Sequence, residues 1–274
     1  MLRFRKLFPQ PRSVIGMVHV AALPGTPRYK GCTERIVEDA VKEAVIYAES
    51  CVDGILVENM HDVPYVKQKD LSPEIISMMT RICTEIRKVA PQNIACGIQI
   101  LAGCNKEAIA VAKAARLQFI RAEGFVFSHM ADEGFIDANA GTLLRFRRQI
   151  DAEDILVFAD VKKKHSSHAI TSDVSLLETV RAAEFFLADG VILTGNATGD
   201  AVNVKDLTEV RECVAARVPV LIGSGVTLDN VDNYVEAADA LIVGSHFKKA
   251  GRWENALEPE RVRALVGRLK SRRR

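Results

Sequence analysis

The sequence has little net charge, no long apolar run and no paired pattern of cysteines, and each absence narrows the class of protein. Its 37 Lys and Arg residues against 35 Asp and Glu leave a formal charge of +2, which is too small to suggest a nucleic-acid partner. No segment approaches the roughly eighteen consecutive apolar residues of a membrane-spanning helix, so we predict no transmembrane segment. The six cysteines are scattered without a Cys-x-x-Cys motif, which is typical of reduced thiols in an intracellular protein.

Both ends of the chain are basic. Residues 1–12 contain no acidic side chain, no long apolar core and no small-residue cleavage site, so we interpret them as a basic N-terminal extension rather than a secretory signal. Residues 268–274 hold five Lys and Arg residues and are interpreted as a solvated basic tail. The acid-free start also resembles a mitochondrial presequence. Because these residues do not form a secretory signal, we expect a cytoplasmic location. The mitochondrial matrix is the alternative that the acid-free start suggests.

Apolar runs and helical patterns alternate along the whole chain. Eight short apolar runs typical of buried strands lie at 14–20, 54–57, 94–100, 117–120, 155–159, 190–193, 218–222 and 240–243. Helical spacing follows them at 34–50, 73–89, 107–116, 140–150, 175–187 and 205–216, and Thr227 is placed to start a seventh helix. The length of 274 residues suits one barrel of about 250 residues. These patterns predict a single-domain α/β protein, a (β/α)₈ TIM barrel over 1–274, with an open doubly wound sheet as the alternative.

Two glycine turns close the last two predicted strands. Gly223-Ser224-Gly225 follows the seventh strand, and Gly244-Ser245 follows the eighth. Glycine lets the backbone approach a ligand closely, and successive backbone N–H groups can bind an anion. Phosphate sites of TIM barrels are often formed by these two loops. The pair therefore predicts a phosphate site, although each turn alone is more typical of an ordinary strand-to-helix connection.

Polar residues stand at most of the predicted strand ends, where TIM barrels carry their active sites. Their convergence on one mouth predicts a small-molecule site. Arg28 is added as an anion clamp, because a guanidinium binds phosphate through two hydrogen bonds. The candidate substrate-binding residues are Arg28, Asn59, Gln99, Glu123, His165, Thr194 and Asn196.

Asp160 and Lys162 are the leading catalytic candidates, with Glu58 and His19 beside them. Alternate residues of a strand face the same side, so we expect Asp160 and Lys162 to project together into the mouth. A carboxylate beside an ammonium can serve as an acid–base pair. Two alternatives remain, a Schiff-base lysine and a structural ion pair at the rim of the mouth.

A metal centre is the rival mechanism. His19, Glu58 and Asp160, with His165, could converge on a divalent metal that activates water. The chain lacks both a His-x-His on the first strand and a His-Glu-x-x-His motif. No cofactor is therefore assigned from the sequence, and a divalent metal stays an alternative.

Several segments resemble one known family. They are 14–25 (VIGMVHVAALPG), 54–64 (GILVENMHDVP), 143–148 (LLRFRR), 159–165 (ADVKKKH), 194–199 (TGNATG) and the GSGVT turn at 223–227. In these segments, which extend over nearly the whole chain, the sequence resembles the BtpA family. The family is named for a cyanobacterial protein linked to photosystem I biogenesis, and other members accompany sugar-uptake and sugar-phosphate genes. The third strand end, 99–105 (QILAGCN), departs from the Asn-x-Leu-Arg-Asn pattern of bacterial members, so a substrate group recognised there is expected to differ.

Two function classes follow. The first is an enzyme that binds a small phosphorylated or ribosyl metabolite and performs lyase, isomerase or glycosyl-bond chemistry by acid–base catalysis. The second, implied by the resemblance, is a non-enzymatic assembly or stabilising factor of a membrane complex. A deep mouth that holds the catalytic candidates favours the enzyme, whereas a large exposed apolar patch favours the second class. We also expect a homo-oligomer.

Overall fold

The structure is a computed structural model that describes residues 1–195 and 197–272. Within those residues the chain forms eleven strands and eight α-helices. The strands are β1 (Ser13–His19), β2 (Gly54–Glu58), β3 (Ala95–Gln99), β4 (Phe119–Ala122), β5 (His129–Ala131), β6 (Gly134–Ile136), β7 (Leu156–Asp160), β8 (Ser166–Ser167), β9 (Gly190–Leu193), β10 (Val220–Ile222) and β11 (Ala240–Val243). The helices are α1 (Leu2–Leu7), α2 (Thr33–Glu49), α3 (Pro73–Val89), α4 (Asn105–Ala115), α5 (Ala140–Gln149), α6 (Leu176–Phe185), α7 (Val204–Val214) and α8 (Pro259–Ser271).

Eight parallel strands close a barrel in the order β1-β11-β10-β9-β7-β4-β3-β2. The closing pair is β1 with β11, where Ser13 lies opposite Ala240. Apolar side chains at alternate strand positions fill the interior of the barrel and form one cluster. The side chains on the outer face of the strands pack against the helices and form a second, larger cluster. The chain is therefore a single TIM-barrel domain, and the predicted fold class is confirmed.

The connection after β10 contains no α-helix, so the predicted seventh helix at Thr227 is wrong. A 3₁₀ turn at Val231–Asn233 takes its place. Asn230 explains the difference, since its Oδ1 accepts from the Thr227 N–H at 2.8 Å and its Nδ2 donates to the Gly225 carbonyl at 2.8 Å. Side-chain hydrogen bonds of this kind compete with the backbone bonds of a helix.

The basic N-terminal segment is part of the core rather than a loose extension. Helix α1 lies across the N-terminal end of the barrel, where Phe4 of the helix and Phe8, directly after it, are 1 % and 0 % exposed. The Phe8 ring packs on Phe119 with centroids 5.8 Å apart, and Phe4 packs edge-on against Phe158 at 5.9 Å. Arg3 and Arg5 of α1 pair with Asp189 and Asp239, at 2.8 and 2.7 Å.

The predicted basic tail begins inside α8. Arg268 and Arg272 both pair with Asp232, while their side chains stay 48 % and 45 % exposed to solvent. Arg273 and Arg274 lie outside the described residues. No helix in the described part of the chain is both long and apolar enough to cross a membrane.

A small antiparallel sheet covers part of the barrel mouth. The hairpin β5–β6 comes from the loop after β4, and β8 comes from the loop after β7. Met130 of β5 pairs with Ser167 of β8, which joins the two loops. Asp132 and Glu133 form the turn of the hairpin, and both line the mouth.

Candidate functional site

A cavity of about 410 Å³ opens at the C-terminal ends of the barrel strands. The carboxyl ends of all eight strands meet there, and this brings together residues that are far apart in the sequence. Sequence-predicted residues that line it are His19, Glu58, Gln99, Glu123, Asp160, His165, Gly223, Ser224, Gly225, Gly244 and Ser245.

Lys162 does not share this cavity, so the expectation that it projects into the mouth beside Asp160 is wrong. Strand β7 ends at Asp160, and Lys162 adopts a left-handed conformation with φ of 44°. The turn breaks the alternation on which the prediction was based. The Lys162 Nζ instead donates to the Thr171 carbonyl at 3.4 Å, outside the main cavity.

The next two lysines occupy the mouth instead. Lys163 places its Nζ 3.6 Å from Glu123 Oε1. Lys164 lines the cavity, and within the described residues its Nζ has no hydrogen-bond or ion-pair partner. Burial and the Arg121 charge lower the pKa of Lys164 to about 8, against the opposing effect of Glu58 and Asp160. The only sequence signal for Lys164 was its place in a run of three lysines.

Arg121, not a lysine, is the ionic partner of Asp160. Its Nε lies 3.0 Å from Asp160 Oδ2 and its Nη2 lies 3.0 Å from Oδ1, a two-point pairing. Arg121 Nη1 also approaches the Gly223 carbonyl at 3.4 Å. Burial raises the pKa of Asp160, and the Arg121 guanidinium opposes that rise. Asp160 therefore positions Arg121 under the first glycine turn, because both of its oxygens are engaged.

His19 and Glu58 form a buried pair at the ends of β1 and β2. His19 Nδ1 lies 3.3 Å from the Trp253 carbonyl, which can only accept, so Nδ1 carries the proton. Its Nε2 lies 3.8 Å from Glu58 Oε2. Burial and the Lys248 charge lower the pKa of His19 well below its usual value, whereas burial raises the pKa of Glu58. Nε2 is therefore the ring nitrogen that faces Glu58, in a pair where burial disfavours the charged form of each group.

The glycine turns meet the requirement for close backbone approach. A Cβ on Gly225, whose φ is +69°, would lie 1.9 Å from the Asp200 carbonyl oxygen. Within the described residues, the backbone N–H groups of Gly225 and Ser245 have no hydrogen-bond acceptor. Arg261, near the start of α8, lines the same cavity. Free N–H groups and a guanidinium are the donors that an anion requires.

Among the described residues, the other predicted substrate contacts lie away from the cavity or support it indirectly. Asn59 is buried, and it binds Asp62 at 2.9 Å and the Leu101 N–H at 2.9 Å. Thr194 Oγ1 accepts from the Lys164 N–H at 2.9 Å, which positions that lysine. Arg28 lines a separate outer groove beside α2. Asn196 lies outside the described residues.

The predicted metal ligands do not form a metal site. Across residues 1–195 and 197–272, no group of three or more His, Cys, Asp or Glu side chains is arranged to hold a metal ion. Arg121 already engages both oxygens of Asp160, one of the candidate ligands.

The fold and the mouth define a TIM-barrel protein with a ligand cavity in the position usual for this fold. The model of the BtpA family matches residues 10–271, and the chain belongs to that family. A Caenorhabditis elegans protein described as mitochondrial and uncharacterised is 49% identical over 91% of this chain and 90% of its own length. The "Photosystem I biogenesis protein BtpA" of Synechocystis is 36% identical over 94% of this chain and 88% of its own length.

Solved structures share the barrel at low sequence identity. Thiamine phosphate pyrophosphorylase from Pyrococcus furiosus aligns with a TM-score of 0.59 and 14% identity, over 98% of each chain. Orotidine 5'-phosphate decarboxylase from Pyrococcus horikoshii aligns with a TM-score of 0.57 and 13% identity, over 93% of this chain and 99% of that one. At these identities the likeness is one of fold.

Proposed function

We propose that the protein is an enzyme acting on a small phosphorylated or ribosyl metabolite in the barrel mouth. The phosphate end of the site is the pair of glycine turns, where the N–H groups of Gly225 and Ser245 have no acceptor among the described residues and Arg261 supplies a cation. Two enzymes with the same fold are named for phosphate esters. Their names support the same choice of substrate class for this chain.

The single observation that carries the enzymatic proposal is Lys164. Its pKa of about 8 lets the amine give and take a proton near neutral pH, and it lines the same cavity as the glycine turns. Lys164 therefore takes the catalytic role first expected of Lys162. Glu58 and His19 form the second proton-exchanging pair, and Asp160 acts by holding Arg121. This set suits lyase, isomerase or glycosyl-bond chemistry.

The test compares Lys164→Met with Lys162→Met. Each variant is incubated with a set of sugar phosphates and nucleotides, and substrate loss is followed by mass spectrometry. We expect Lys164→Met to lower turnover by about 10²-fold or more, the scale of a lost proton-transfer group. Lys162→Met is the matched control, since its amine lies outside the cavity. Equal turnover by the two variants, or no turnover of any phosphorylated compound by the unmodified protein, would overturn the proposal.

A second candidate is the assembly or stabilisation of a membrane complex, the role in the name of the Synechocystis relative. The observation that favours it is an apolar surface at the end of α6. Phe185, Phe186 and Leu187 are 81 %, 47 % and 69 % exposed there, and they line a groove with Leu144. Contiguous exposed apolar residues often mark an interaction surface. The expected homo-oligomer would use the same surface.

The two candidates differ in which variant a cell tolerates. Each variant is expressed in a strain that lacks the gene. If the protein acts as an enzyme, we expect that Lys164→Met does not restore the wild-type phenotype and that Phe185→Glu does. The assembly role predicts the reverse. Sedimentation of purified Phe185→Glu also tests the oligomer, because a self-association surface predicts dissociation to monomer.

A further inference from the structure

The wall opposite the glycine turns has a distinct chemical character. In the closed barrel, β3 is four strands from β10 in either direction, so Gln99 at the end of β3 faces Gly223–Gly225 across the mouth. The hairpin turn that carries Glu133 also lines this cavity. Glu133 is close enough to affect the pKa of both Tyr65, in the loop after β2, and His165, in the loop after β7. Its carboxylate therefore reaches over the mouth.

Two acceptor atoms at this wall have no partner. Gln99 Oε1 and Glu133 Oε2 are buried, and neither has a hydrogen bond within the described residues. The Gln99 amide is oriented by Glu123, because Nε2 donates to Glu123 Oε1 at 3.2 Å and a carboxylate can only accept. Its oxygen must therefore face away from Glu123. Buried acceptors are nearly always satisfied in native proteins, so each unpaired one requires an explanation.

Neighbouring protein groups do not supply the missing donors. Lys163 is held by Glu123, which also accepts from the Gly103 N–H at 3.1 Å. A ligand that reaches this wall must bring hydrogen-bond donors of its own. Hydroxyl groups fit better than an ammonium, because the Gln99 acceptor is a neutral amide oxygen and Lys163 already places a cation 3.6 Å from Glu123 beside it.

We propose that Gln99 and Glu133 form a hydroxyl-binding subsite for the end of the substrate remote from its phosphate. The substrate class is then a phosphate ester of a polyhydroxylated carbon skeleton. This inference rests on the proposed function, because it takes the glycine turns as the phosphate end. Glu133 was not a sequence candidate, since nothing in a short loop indicates that it folds over the mouth.

Calorimetric titration with four probes tests the subsite. The probes are inorganic phosphate, propyl phosphate, which has no hydroxyl groups, 2-aminoethyl phosphate, which carries an ammonium, and ribose 5-phosphate. We expect ribose 5-phosphate to bind about tenfold more tightly than propyl phosphate, the scale of hydrogen bonds to buried or charged acceptors. Gln99→Leu and Glu133→Ala should each remove most of that preference and leave propyl phosphate binding unchanged. Asp137→Ala is the control, because Asp137 is on the same loop, is exposed and does not line the cavity.

The outcomes separate this inference from the function on which it rests. If propyl phosphate displaces inorganic phosphate and binds as tightly as ribose 5-phosphate, the hydroxyl subsite is wrong and the phosphate site stands. Tighter binding of 2-aminoethyl phosphate than of ribose 5-phosphate would also overturn it, in favour of a cation subsite. If none of the probes binds, both proposals fail. A melting curve for each variant confirms that it is folded.

Discussion

Replacing Phe8 by alanine tests whether the N-terminal helix completes the barrel core. Phe8 is fully buried and packs against Phe4 and Phe119 with ring centroids 5.1 and 5.8 Å away. Truncating a buried phenylalanine costs about 3–5 kcal/mol, because the transfer free energy is lost and a cavity remains. A domain of this size loses about 2–4 °C in Tm for each kcal/mol by which its free energy of unfolding falls. Phe8→Ala should therefore lower Tm by about 6–20 °C.

Urea unfolding followed by circular dichroism measures the loss, with Leu2→Ala as the control. Leu2 lies on α1, which ends one residue before Phe8, but it is 89 % exposed, so its truncation should change the free energy of unfolding by less than about 0.5 kcal/mol. The ligand mouth is at the other end of the barrel, and binding of inorganic phosphate should be unchanged in both variants. A loss below about 1 kcal/mol for Phe8→Ala, or an equal loss for Leu2→Ala, would refute the assignment of α1 to the core.

Two further variants test the mouth. Gly225→Ala should abolish phosphate binding and cost about 3 kcal/mol in urea unfolding, because its Cβ would meet the Asp200 carbonyl. Gly31→Ala is the control, because Gly31 also has a positive φ but no atom lies within 4 Å of the added Cβ. This variant should cost only about 1–2 kcal/mol of unfolding free energy. Equal losses for the two variants would contradict the steric argument. Lys164→Met tests the pKa of about 8. The ordinary lysine value is about 10.4, so between these values the unfolded chain holds a proton that the folded chain lacks, and wild-type stability rises with pH. The methionine variant should be the more stable below about pH 8 and lose that advantage toward about pH 10. A difference independent of pH would contradict the shifted pKa.

The choice of the candidate catalytic lysine shows where prediction from the sequence stopped. The ADVKKKH segment correctly indicated a strand end rich in charge, and Asp160 does lie at the mouth. Which of the lysines after Asp160 would face the mouth depended on the residue at which the strand ended. Because Lys162 takes a positive φ, the period of two ends at Asp160 and Lys164 enters the cavity instead. A backbone turn of one or two residues leaves no periodic signal in the sequence.

The sequence by itself determined the barrel and the position of its glycine turns. Strands buried on both faces must be apolar throughout, so β2 and β11 could be recognised from short runs of residues alone. The turns at Gly223–Gly225 and Gly244 were recognisable because the backbone there requires glycine or small residues.

Only the tertiary structure decided which side chains meet. Phe8 looked like part of a basic extension, because the apolar partners that bury it, Phe119 and Phe158, are more than a hundred residues away. The pairing of Arg121 with Asp160 and the reach of Glu133 over the mouth likewise depend on barrel closure and on the hairpin that joins two loops. The local sequence pattern indicates which face of a helix or strand is buried, but it does not indicate which distant residues pack against that face. The chemistry of this mouth depends on those distant partners.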